Sequence, residues 1–152
     1  MKTIKNYTSS VPVDRTISTI ESELVEIGAS RIIKTYGENK LANGIIFEVS
    51  TGSANSGYLS IKIPVNIDGV LIELKTVPQY KRKNTDWLLQ QAQRTGWRII
   101  LDWVLVQCAM IRLKQADALE VFLPYVYSEK TGNTFYKNIK HNGNYNLLLS
   151  DK

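Results

Sequence analysis

The apolar positions follow a helical period near both ends of the chain and a period of two between them. Val13, Ile17, Ile20, Leu24 and Ile27 recur at spacings of four, three, four and three, the stripe of an amphipathic helix. Pro12 precedes that stripe, Asp14 suits the N-cap, and Gly28 suits the left-handed position that stops a helix. Residues 1–11 carry no such stripe and read as a loose arm. Three strands are predicted next. Arg31–Tyr36 carries Ile32, Ile33 and Tyr36, and Leu41–Ser50 contains the β-rich run Gly-Ile-Ile-Phe-Glu-Val. From Tyr58 to Val65 the chain alternates strictly. Leu59, Ile61, Ile63 and Val65 fall on one side, and Tyr58, Ser60, Lys62 and Pro64 on the other. One apolar and one polar face mark a half-exposed antiparallel strand. The small, polar segment Thr51–Gly57 reads as the hairpin loop between the last two strands.

Residues 66–77 fit two patterns. Ile67, Val70, Leu71 and Leu74 suit a short helix, whereas the run Val-Leu-Ile-Glu-Leu suits a strand; the helical reading is the preferred one. Pro78–Asn84 is a basic connector. A long helix is predicted from about Asp86 to Lys114, free of proline and weakened only at Gly96. At about 1.5 Å per residue it spans on the order of 43 Å. From Ile99 onward it is apolar nearly all round, so the rest of the domain is expected to wrap it. Ala116–Leu123 forms a further short helix ended by Pro124, and Thr134–Ile139 a last turn before a polar tail of about 141–152. The order α-β-β-β-α-α-α predicts an α+β domain: a three-stranded antiparallel sheet packed on one face by the long helix and its companions.

A length of 152 residues, 43% apolar and 22% charged, matches one ordinary globular domain and excludes disordered or fibrous classes. The single cysteine, Cys108, excludes an intramolecular disulfide and a cysteine-based zinc site, and favours a reducing compartment such as the cytoplasm. No apolar run of signal-peptide length opens the chain. The most apolar stretch, Ile99–Ile111, is 13 residues long and is interrupted by Asp102 and Gln107; a membrane span needs roughly 20. A core helix is therefore expected there, and no membrane partner.

The charge has a location. Between Lys75 and Arg98, six cationic residues face one acid, Asp86, an excess equal to the +5 of the entire chain. Lys81, Arg82 and Lys83 stand just before the long helix. Gln91, Arg94, Arg98 and Asp102 fall within roughly 80° of one another on it. Cations so placed can neutralise the phosphates of DNA or RNA; they also suit a solvated surface with an Arg98–Asp102 pair at i,i+4.

Other chemistry is sparse. Asp68-Gly-Val-Leu-Ile-Glu73-Leu-Lys75 resembles the PD-(D/E)xK nuclease motif, whose two acids bind Mg²⁺ while the lysine assists the attacking water. That family places the aspartate and the Glu-x-Lys on neighbouring strands, and the four residues between them here leave no room for a hairpin; on a helix the arrangement fails outright. The Thr51–Gly57 loop lacks the Gly-Lys-Ser/Thr of a phosphate-binding loop. His141 is the only histidine and Cys108 lies in the most apolar helix, so neither a Cys–His pair nor a first-row metal site is expected. No catalytic set and no cofactor are assigned. Trp97 and Trp103 are assigned to packing.

Two resemblances bear on function. The α-β-β-β-α order is that of double-stranded-RNA-binding domains, which carry lysines at the start of their second helix; here Asp68 stands there without a lysine pair. Most of the chain resembles small proteins of unknown function encoded by phages, prophages and metagenomic contigs. The resemblance rests on Val-Asp-Arg-Thr-Ile-Ser-x-Ile-Glu at 13–21 and Gly-Ala-Ser at 28–30. It extends through Gln-Ala-Gln-Arg-Thr-Gly-Trp-Arg-Ile-Ile-Leu-Asp-Trp-Val at 91–104 and Glu-Val-Phe-Leu-Pro-Tyr at 120–125. It implies a phage-type protein of a bacterial host cell and lends no activity. Its Arg-x-x-Trp-Arg-x-x-x-Asp-Trp segment equally suits a polar network that fixes the long helix. The leading expectation is a nucleic-acid-associated accessory protein acting through Lys81, Arg82, Lys83, Arg94 and Arg98. The alternative is a non-catalytic binder of a protein or small ligand, or a homo-oligomer, and a second alternative is a Mg²⁺-dependent nuclease of the PD-(D/E)xK kind using Asp68, Glu73 and Lys75.

Overall fold

The computed structural model describes residues 2–50 and 57–143. Helix α1 (Val13–Glu26) begins one residue before Asp14, which therefore lies in the first turn and favours the helix dipole, while Pro12 occupies the cap without a side-chain bond. The helix ends in a Schellman motif: Gly28, at φ +98°, donates to Val25, and Ala29 donates to Leu24. Its stripe of Ile17, Ile20 and Leu24 is buried.

Strands β1 (Arg31–Tyr36), β2 (Ala42–Ser50) and β3 (Tyr58–Pro64) form an antiparallel sheet in the order β1-β2-β3. The register pairs Ile32 with Phe47 and Phe47 with Ile61. Ile45, Phe47, Val49, Ile61 and Ile63 thus line one buried face, and Lys62 and Pro64 point to the other, as a period of two requires. The chain enclosed by 51–56 lies outside the described residues, so the expected hairpin loop there has no structural account.

The ambiguous segment is helical: α2 spans Ile67–Lys75, capped by the Asn66 Oδ1, which accepts from the Gly69 N–H at 2.9 Å. After a 3₁₀ turn at Pro78–Tyr80 comes α3 (Thr85–Arg112), 28 residues long, its first turn held by Asn84 Oδ1 accepting from Trp87 N–H at 2.8 Å. Gly96 is where α3 takes the chain at the start of α2 at closest approach. A Cβ there would lie 3.0 Å from Val65 Cγ1 and 3.2 Å from Ile67 Cδ1. The residue that weakens the helix by propensity is the one that lets its neighbours in.

Helices α1 and α2 both lie along α3, and the buried face of the sheet joins them around Trp97, Leu101, Val104 and Cys108. The later half of α3 is not wrapped as its composition predicts. Val106 is 56% exposed and Leu105 37%, because α1, α2 and the sheet occupy only part of its circumference. Helix α4 (Ala118–Phe122), capped by Asp117, delivers Phe122 to the core edge-on to Phe47, with ring centroids 5.2 Å apart.

The C-terminal part holds a hairpin that periodicity misses and, in place of the last turn expected at Thr134–Ile139, a two-turn helix. Strands β4 (Tyr127–Ser128) and β5 (Asn133–Thr134) make a small hairpin, and α5 (Phe135–Asn142) follows. Val126 bridges Ile61, so this unit covers the free edge of β3 and shields unpaired backbone groups from association. His141, expected in a polar tail, is an exposed residue of the last turn of α5. Among the described residues no helix is long and apolar enough to cross a membrane.

Candidate nucleic-acid interface

Residues 2–11, expected to be loose, are tied to α3 by a ladder of hydrogen bonds. The buried Gln91 amide donates to the carbonyls of Tyr7 at 2.8 Å and Ser9 at 3.0 Å. The Thr95 hydroxyl donates to the Asn6 carbonyl at 3.1 Å, and the Asn6 amide donates to Asp102 Oδ2 at 2.8 Å. The arm thus descends from Ser9 to Lys5 as α3 ascends from Gln91 to Asp102, along the polar stripe evident in the sequence. Tyr80 closes the upper end: its hydroxyl donates to the Tyr7 carbonyl at 3.2 Å, and its ring meets Tyr7 and Trp87 at centroid distances of 6.0 and 4.9 Å. Burial, with Tyr7 beside it, pushes the Tyr80 phenol above its ordinary value, and Arg94 pulls it part of the way back.

The five cations expected to bind phosphate surround this ladder. Lys81, Arg82 and Lys83 are exposed on the turn before α3. Lys83 Nζ sits 4.8 Å from the centre of the Trp87 ring, a cation–π interaction that orients the ammonium without neutralising it. Arg94 donates from Nε and Nη2 to Gln91 Oε1 at 3.2 and 2.7 Å. The same glutamine therefore holds the arm on one side and the guanidinium on the other. Arg98 is half-buried one turn further along.

Arg98 does not form the expected pair with Asp102. That carboxylate is taken by Lys5 at 3.0 Å and by Asn6, because the arm, absent from any i,i+4 argument, reaches it with two donors. Burial raises the Asp102 carboxyl, but the Asn6 and Lys5 bonds, with the nearby charges of Lys5 and Arg98, outweigh it and hold the group below its ordinary 3.8. A depressed carboxylate adds stability above its unfolded pKa and loses it as pH falls through the lower folded value. Asp102→Asn is accordingly expected to flatten the acid limb of a plot of urea midpoint against pH. The variant and parent curves should separate above about pH 4 and converge well below it. Parallel curves throughout would show that Asp102 does not anchor the arm.

The nuclease-like residues are not assembled. Asp68, Glu73 and Lys75 all lie on α2. Five residues of helix turn Glu73 roughly 140° away from Asp68, and Lys75 is two turns further along the axis, about 10 Å. No cluster of three or more metal-ligating side chains occurs among the described residues. Cys108 is fully buried, its thiol pushed up to about 11 by burial, with Glu23 adding to the shift and Arg112 opposing it. It packs as a small apolar group, and its Sγ lies 3.8 Å from the Glu23 carbonyl. Trp97 is also fully buried and donates Nε1–H to the Ala42 carbonyl at 3.2 Å. Trp103 stacks edge-on against Phe122 and Tyr125.

What sequence reasoning missed is the arm's part in the site. Asn6, Tyr7 and Ser9 act mainly through backbone carbonyls, which every residue carries, so no side-chain pattern announces them; the glutamine at position 91, on the polar stripe, was the available signal. Comparison with family models, with curated proteins and with solved structures returned no match.

Proposed function

We propose that this chain is a phage-type accessory protein that associates with nucleic acid through the ridge of Lys81, Arg82, Lys83, Arg94 and Arg98. One observation carries the reading: these five cations are gathered on the turn before α3 and the first half of that helix, and among the described residues none of them is ion-paired. The ridge combines an exposed basic turn, an ammonium oriented on Trp87 and an arginine positioned by Gln91. Unpaired cations on a long helix and the turn before it suit a polyanion, whose binding releases condensed counterions. The reading needs no turnover, and it belongs in the cytoplasm of a bacterial host cell.

Fluorescence anisotropy with single-stranded DNA, duplex DNA and RNA at two salt concentrations tests it. Binding is expected to weaken steeply with salt. In a Lys81→Ala/Arg82→Ala/Lys83→Ala variant the slope of log K against log salt should fall by roughly 2–3, at about 0.7–0.9 for each phosphate no longer neutralised. No binding at low salt to any of the three nucleic acids would overturn the proposal.

A further inference from the structure

A second site lies away from the basic ridge, where the C-terminal unit crosses β3. Lys62 and Pro64 of β3 face Pro124, Tyr125, Tyr136 and Lys137 across a cavity of about 310 Å³. Its walls are mainly apolar, with two prolines and two tyrosines among them, and its two charged wall residues are both lysines. Among the described residues neither lysine is ion-paired. Lys62 Nζ instead sits 5.0 Å from the centre of the Tyr127 ring, which fixes its direction and leaves its charge uncompensated. Tyr125 is equally fixed, its ring edge-on to Trp103 at 5.3 Å.

We propose that this cavity binds a small aromatic anion, a single ring system bearing one carboxylate or phosphate. Two like charges beside an apolar space repel each other and gain from an anion between them. Tyrosine and proline faces offer stacking surface to a planar ring. The volume stands at the lower end of ligand pockets, roughly 300–1,000 Å³, so one ring system fills it and an oligomeric ligand does not. The site belongs to the small-ligand alternative raised by the sequence, and it is independent of the ridge: none of its walls comes from α3 or the connector.

Amide NMR titration of the full chain with indole acetate, indole and a purine mononucleotide tests it. Indole acetate or the mononucleotide is expected to give saturable shifts confined to Lys62–Ile63, Tyr125–Tyr127 and Gly132–Lys137. Lys62→Ala/Lys137→Ala should weaken that anion about tenfold or more and leave uncharged indole within about twofold. Lys137→Ala alone, on an exposed position of α5, should weaken it several-fold with the thermal midpoint unchanged. The Lys81/Arg82/Lys83 triple variant should bind as the parent does. Shifts elsewhere on the surface, failure of both anions to saturate, or lysine variants that bind the anion as tightly as the parent would each overturn the proposal.

Discussion

Trp97→Ala is expected to lower the free energy of unfolding by about 3–5 kcal/mol, the range for truncating a fully buried aromatic side chain. Against the roughly 5–15 kcal/mol that holds a domain of this kind together, that is a large fraction. The reasons are local. Trp97 is 0% exposed, so its truncation leaves a cavity inside the core. It is also the side chain that joins layers: its indole lies on α3, and its N–H reaches the Ala42 carbonyl at the start of β2. Alanine removes the packing and the bond together. Trp97→Phe refills most of the space and removes only the donor, so it should cost clearly less than the alanine. Urea melts followed by circular dichroism give both values, with an unchanged m-value as the check that the unfolded state is the same. A loss below about 1 kcal/mol for the alanine would mean that the core is not centred on this residue. A phenylalanine as damaging as alanine would place the larger share of the energy in the bond to Ala42.

The same tryptophan shows why much of the fold was legible. Long helices and half-buried strands repeat a side-chain pattern over many residues, and α1, β2, β3 and α3 each do so. Asn66, Asn84 and Asp117 cap α2, α3 and α4, a signal that periodicity does not use, and periodicity by itself leaves 66–77 between helix and strand. The β4–β5 hairpin could not be seen this way. Its strands are two residues each, too short to show a period, and they exist because Val126 finds a partner in Ile61. The exposure of Val106 was hidden for a related reason. Composition shows that a helix is apolar on every side, while the number of neighbours able to cover it is a property of the assembled layers.

The site was legible in part. Lys81, Arg82 and Lys83 declare themselves as a charge run, and the stripe of Gln91, Arg94, Arg98 and Asp102 follows from helical spacing. Partner choice along that stripe was not legible. Spacing alone offers Arg98 to Asp102, yet Lys5 and Asn6 take the carboxylate from nearly a hundred residues away in sequence. Long-range donors outcompete a local pair when they arrive on a docked segment, and docking depends on the backbone carbonyls of that segment.

Gln91 is the residue on which that docking turns. Gln91→Ala is expected to cost about 1–3 kcal/mol, the scale for leaving partly buried carbonyls short of their donors, and to loosen the arm rather than the core. One amide satisfies Tyr7 and Ser9 with its nitrogen and Arg94 with its oxygen, so a single truncation strips three partners. The Tyr7 carbonyl keeps the Tyr80 hydroxyl and the Ser9 carbonyl regains water as the arm lifts, which limits the cost and shifts it to residues 2–11. Limited proteolysis should therefore show faster cleavage before Val13 in the variant, while hydrogen exchange in the middle of α3 changes only in proportion to global stability. Gln91→Glu keeps an acceptor for Arg94 but turns a carboxylate towards two carbonyls, and should release the arm at least as fully as alanine does. Removing residues 2–11 provides the closing comparison. In that background Gln91→Ala should cost much less than in the full chain, because most of its partners are already gone, and the shortfall measures the coupling directly. Equal costs in the two backgrounds would mean that Gln91 stabilises α3 by itself and that the arm is held by Tyr80, Thr95 and Asp102.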